Sequence, residues 1–229
     1  MPGPSRVFLL SPANCGGERA RILMRDEAKF DLALRLRGGE ATLGETFAFL
    51  SGLYFRGKLA YARVFARPPK GAAGVYVITT CCGLVPPDAR VTLAELRAMT
   101  CVPIDLSDAR YRDPLERDVR KLSDVIGPRG QVVLLGSIAT GKYVDILSAA
   151  LGDRLRFPAE FVGRGDMSRG GLMLRHVTSG EELTYIPLGT TRSRKGKRPP
   201  KLEPIRKAKS SPLKDGKRHS RRIGHTRLL

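Results

Sequence analysis

Three short apolar runs divide the chain. Arg6-Val-Phe-Leu-Leu10 stops at Ser11-Pro12, and Val75-Tyr-Val-Ile-Thr79 stops at Cys81-Cys82-Gly83. Gln131-Val-Val-Leu-Leu135 is the third, and Arg154 to Phe157 suits a fourth strand. Continuous β-branched and aliphatic runs of this length, bounded by turn residues, predict strands buried on both faces. The segments between them carry helical spacing. Over Glu18 to Leu36 the apolar positions are Ala20, Leu23, Ala28, Leu32 and Leu36, closed by Gly38-Gly39. Thr42 to about Phe65 predicts a second helical segment, interrupted at Gly52 and Gly57, with Phe47, Leu50, Leu53, Tyr54 and Tyr61 on one face.

Thr92 to Met99 predicts a short helix, because Thr92 and Glu95 match a capping box. Val102 to Leu106 suits a strand or an extended segment. Asp113-Pro114 predicts a helix start reaching about Ile126, with proline in its first turn. Gly141 to Leu151 is helical. Leu172 to Val177 and Leu183 to Ile186 flank Ser179-Gly180, which predicts a β-hairpin. Apolar strands alternating with helices imply an α/β fold: an open, mostly parallel sheet with helices on both faces, closed by a C-terminal hairpin.

Composition changes that picture at one end. The apolar residues stop near Leu188, which divides the chain into an α/β domain over 1–189 and a basic tail over 190–229. The tail holds 15 of the 41 Lys and Arg residues and only two of the 22 acids, Glu203 and Asp215. It therefore supplies most of the formal net charge of +19. With few large apolar residues it cannot offset its ordering entropy, which predicts disorder. Its clusters are Arg192, Arg194, Lys195, Lys197 and Arg198, then Arg206, Lys207 and Lys209, then Lys217, Arg218, Arg221 and Arg222. A folded body with such an arm predicts a DNA or RNA partner, held through phosphates by counterion release. No amphipathic apolar face accompanies the charge, so a membrane partner is not expected. Protein partners leave no signature.

The four cysteines, Cys15, Cys81, Cys82 and Cys101, show neither a disulfide framework nor the C-x2–4-C pairs of a zinc site. No metal or other cofactor is indicated. Val7 to Leu10 is too short for a signal or membrane segment, so reduced thiols and a cytoplasmic location are expected.

Ligands of open parallel sheets bind beyond the carboxyl ends of the strands. Three loops fall there: Ser11 to Gly17, Thr80 to Pro86 and Gly136 to Tyr143. In the first, Ser11, Asn14, Cys15 and Gly16 are candidates, with Cys15 placed before a helix whose dipole would lower its pKa. In the third, Gly136 to Lys142 has the Gly-x4-Gly-Lys spacing of a phosphate-binding loop. Tyr143, however, stands where a Mg²⁺-ligating Ser or Thr would be. The alternatives are a plain strand-to-helix turn, or a helix start that uses Lys142 and Tyr143 on a nucleic-acid phosphate. Gly163 to Gly171 adds Arg164 and Arg169 as phosphate clamps and Asp166 as a base, against the alternative of a solvated surface loop. Asn14, Cys15 and Asp166 are thus the catalytic candidates.

Val75-Tyr-Val-Ile-Thr-Thr-Cys-Cys-Gly-Leu-Val-Pro-Pro-Asp88 resembles a strand and loop in the core domain of archaeosine synthases and related uncharacterised bacterial α/β domains. Leu53-Tyr-Phe-Arg-Gly-Lys-Leu-Ala-Tyr-Ala62 looks like the helix before that strand. Gly141-Lys-Tyr-Val-Asp-Ile-Leu147 resembles a later helix start. The likeness spans about residues 6–150 and implies a domain associated with base modification in RNA or DNA. The family's Pro-Cys loop with Lys, Ser and His has only Ser-Pro-Ala-Asn-Cys-Gly-Gly as its match here, so its amino-transfer chemistry is not carried over.

The sequence thus predicts a nucleic-acid-associated α/β protein, extending to a base-modifying enzyme of glycosylase or transferase type. Two alternatives stand beside it. One is a small-molecule enzyme holding a phosphorylated or nucleotide ligand at the Gly136–Lys142 turn. The other is a non-catalytic nucleic-acid-binding module.

Overall fold

The computed structural model describes residues 3–138, 141–190, 199–200 and 202. Six strands form one mixed sheet. They are β1 (Arg6–Leu10), β2 (Val75–Ile78), β3 (Leu84–Val85), β4 (Gln131–Leu135), β5 (Leu155–Pro158) and β6 (Tyr185–Pro187), in spatial order β3-β2-β1-β4-β5-β6. The four predicted strands are the four parallel ones, while β3 and β6 are antiparallel edges. At the centre, Val7 to Leu10 are fully buried, as a strand covered on both faces requires.

Eight α-helices accompany the sheet among the described residues: α1 (Glu18–Leu23), α2 (Asp31–Arg37), α3 (Leu43–Ser51), α4 (Leu53–Phe65), α5 (Leu93–Cys101), α6 (Ala109–Ile126), α7 (Gly141–Leu151) and α8 (Asp166–Ser179). α4 packs on α8 and α6 on α7, forming two separate helical layers. Thr92 and Glu95 form the expected capping box, and Thr42 and Glu45 form a second. None of these helices is long and apolar enough to cross a membrane.

The structure corrects several sequence expectations. The segment Glu18–Leu36 is two helices, not one. Gly52 breaks the next segment because its φ of +58° favours glycine, whereas Gly57 lies inside α4. α6 begins at Ala109, where the Asp108 side chain accepts from the Arg110 amide, so Pro114 sits within the helix. Val102 to Leu106 joins no strand.

The largest correction concerns the expected hairpin. Asp166 to Ser179 is the helix α8, with the left-handed Gly180 ending it and donating to the His176 carbonyl. Ser179-Gly180 is therefore a helix stop. The antiparallel edge strand β6 pairs with β5 across the sheet.

The tightest helix contact in this fold is made of backbone. A Cβ built on Gly57 would stand 2.7 Å from the Gly170 carbonyl oxygen, and one on Gly170 would stand 2.9 Å from that of Leu53. Two glycines thus let α4 and α8 touch without side chains between them. Gly57→Ala should destabilise the fold by roughly 1–3 kcal/mol, because overpacking outweighs alanine's better helix propensity. Urea unfolding measures this, and a stabilised variant would show that the helices separate freely.

Candidate functional site

Because β2 and β4 lie on opposite sides of β1, the strand order reverses there, and their connections part at its carboxyl end. The Ser11 amide donates to the Leu135 carbonyl at 3.2 Å, tying the two loops of this switch point together. Gly136 lies so close that a Cβ on it would meet Ser11 Cβ at 2.8 Å and Tyr143 Oη at 2.9 Å.

The group that organises this end of the sheet is Lys58. It comes from the middle of α4, one residue after Gly57, and is 1% exposed. Its Nζ donates to the Ser11 carbonyl at 2.8 Å and to Ser11 Oγ at 2.9 Å. The rings of Tyr54 and Phe55 stand 4.6 and 4.9 Å from it. Among the described residues no carboxylate forms an ion pair with it. Burial disfavours the charged amine and lowers its pKa to about 7, with the charge of Asp166 acting the other way.

Three further groups frame the amine. Tyr54 Oη is buried beside the Arg169 guanidinium, and its hydroxyl finds no acceptor among the described residues. Burial raises its pKa to about 12, opposed by the nearby Arg169 guanidinium. Arg169, on α8, donates to the Phe161 carbonyl through Nε at 3.2 Å and Nη2 at 3.1 Å, while its Nη1 lies 3.8 Å from Asp166. Tyr143, on α7, donates to the Ser137 carbonyl at 2.9 Å and accepts from the Ser137 amide at 3.1 Å. The Gly57–Gly170 contact is what allows residues of α4 and α8 to share this space.

The sequence candidates distribute unevenly. Ser11, Gly136, Tyr143, Asp166 and Arg169 converge here. Asn14 is exposed, and its Oδ1 accepts from the Gly16 amide at 3.1 Å, so the pair shapes the turn. Cys15 is a correction: it is buried, donates to the Ala13 carbonyl, and burial raises its pKa to about 12. A protonated, enclosed thiol is a poor nucleophile at neutral pH.

Lys142 is exposed, and its carbonyl accepts from Tyr111 Oη at 3.1 Å. The Ser137 amide is engaged by Tyr143, and a Cβ on Gly141 would meet the Asp145 carboxylate at 2.5 Å. A neutral hydroxyl and a carboxylate therefore stand at the described ends of this turn, where a phosphate would need free donors. Arg164 lies apart, beside a groove of about 820 Å³ at the start of α8, where it donates to the Glu160, Ser168 and Pro200 oxygens. No cluster of three His, Cys, Asp or Glu able to hold a metal occurs among the described residues. The basic clusters from Arg192 to Arg222 lie outside the described residues.

Lys58 and Tyr54 are the residues that the sequence reading missed as site candidates. Their signal was present: Tyr54, Lys58, Tyr61 and Phe65 recur at helical spacing, and a lone cation interrupts an otherwise aromatic stripe.

The geometry defines an α/β protein with an amine-centred site at its switch point. Comparison with protein-family models, curated proteins and solved structures found no match.

Between pH 7 and about 10.5 the unfolded chain holds a proton on Lys58 that the folded chain has released. Raising pH through this window therefore favours the folded state. Wild-type stability should rise from pH 7 to 9 relative to Lys58→Met. Parallel thermal-unfolding profiles for the two proteins would contradict the depressed pKa.

Proposed function

We propose that this chain is a nucleic-acid-associated enzyme of the base-modifying kind, acting on DNA or RNA. The observation that carries the reading is the Lys58 amine, buried without an ion pair at the carboxyl edge of a parallel sheet. A desolvated lysine is reactive because a large share of it is neutral near pH 7. Lysines are almost never fully buried unless paired, and this one lies at the strand ends where open α/β sheets bind their ligands. Tyr54 and Arg169 add a hydroxyl whose proton has no acceptor among the described residues and a cation, both suited to an oxygen-bearing ligand.

The charge pattern supports a polyanionic partner. The body carries a modest basic excess and the 190–229 segment a large one. The segment provides affinity without sequence preference, while the sheet-end site provides chemistry on a nucleotide taken out of its stack. The resemblance of residues 75–88 to archaeosine synthase cores points to the same class. The alternative of a phosphorylated ligand at Gly136–Lys142 is disfavoured by the Tyr143 hydroxyl and the Asp145 carboxylate there.

Binding of short duplex DNA, single-stranded DNA and a folded RNA across several salt concentrations tests the partner. The full chain should bind with steep salt dependence. A chain ending at Leu188 should bind more weakly yet keep a preference for one polymer. A truncated chain that remains folded by circular dichroism but binds none of the three would remove the body from nucleic-acid recognition.

A further inference from the structure

We propose that Lys58 is a covalent catalyst that forms an imine with the open-chain sugar aldehyde of an abasic nucleotide. The inference rests on the nucleic-acid reading above and names the substrate for the same site. Its basis is the joint placement of an amine, a proton carrier and an unfilled hydrogen-bond donor. Lys58 Nζ is 2.9 Å from Ser11 Oγ. The Tyr54 hydroxyl is buried beside the Arg169 guanidinium, and its proton finds no acceptor among the described residues. A buried hydroxyl proton without an acceptor is unfavourable, and a ligand oxygen supplies what it lacks.

An aldehyde fits these groups. Its oxygen accepts from Tyr54 Oη and Arg169, which draws electrons from the carbonyl carbon. The neutral Lys58 nitrogen adds to that carbon and forms the C–N bond, while the C=O π pair moves to oxygen. Ser11 Oγ relays one nitrogen proton to the alkoxide, giving a carbinolamine, and then relays the second to its hydroxyl. The C–O bond then breaks, water leaves, and the nitrogen lone pair closes the C=N bond. One amine and one aldehyde give one imine and one water, with no oxidant or reductant. The aromatic faces of Tyr54 and Phe55 keep the amine poorly hydrated before reaction. The groups clustered with the amine are Tyr54 from α4, Asp166 and Arg169 from α8, Tyr143 from α7 and Ser11 after β1. Asp166 is the one carboxylate among them, and its attraction for the protonated amine is overcome by burial.

Borohydride capture tests the proposal on the full chain, using an oligonucleotide with one abasic site and, separately, glyceraldehyde. The reduced adduct should map to the peptide carrying Lys58 by mass spectrometry. Capture should rise with pH around a midpoint near 7. An exposed tail lysine would rise only toward its ordinary value near 10.5. Lys58→Met should abolish capture, and Ser11→Ala should slow it by about a hundredfold. The wild-type mapping and pH profile remain decisive if Lys58→Met fails to fold. Capture of the bound oligonucleotide only on tail lysines, or no capture at all, overturns the inference and leaves the nucleic-acid reading intact. Capture of glyceraldehyde at Lys58 with no binding of the oligonucleotide overturns the nucleic-acid reading and the abasic substrate together.

Discussion

The structure around the switch point depends on keeping one amine out of water. Burying a lysine without an ion pair is costly, and the cost falls mainly on its charged form. Here the amine is held by the Ser11 carbonyl and hydroxyl and by two aromatic faces. These partners suit an amine that gains and loses a proton near neutrality, because none of them is a fixed negative charge. The fold pays for that arrangement through geometry. Gly57 and Gly170 remove the side chains that would hold α4 and α8 apart, so that Lys58 and Arg169, the neighbours of those glycines, reach one space.

The sheet was legible because its central strands are buried on both faces. A strand covered on both faces must be apolar throughout, and such runs stop sharply at polar or proline residues. Val7 to Leu10 and Val132 to Leu135 follow that rule, whereas β5 carries the half-buried Arg156 between Leu155 and Phe157. The edges were harder: β3 has only two residues, and β6 overlaps the expected strand Leu183 to Ile186 but pairs with β5, not with a hairpin partner. α8 was misread because Leu172 to Val177 and Leu183 to Ile186 flank Ser179-Gly180 as two strands flank a turn. The decisive facts were glycines at both its ends and a glycine facing α4, which pattern alone does not weigh.

The site was half legible. Loops at strand ends are readable from topology, and Ser11, Gly136 and Tyr143 were found that way. Asp166 and Arg169 were found through the glycine-rich composition around them, although that stretch begins a helix. Cys15 was assigned the opposite electrostatics, because a short helix nearby matters less than enclosure by the core. Lys58 escaped because a lysine in a helix is ordinarily solvated, and only the three-dimensional contact of α4 with Ser11 shows otherwise. A fold of this class hosts many activities, so the functional reading rests on this amine and its neighbours and not on the sheet.

The protonation state of Lys58 is the quantity on which the site's chemistry turns. Nuclear magnetic resonance titration of its ε-methylene, assigned by comparison with Lys58→Arg, reads that state directly. A midpoint near 7 is expected from burial. A Lys58 signal that stays in the charged range up to pH 10 would contradict the account, and would make this lysine a structural cation that fastens α4 to the end of β1.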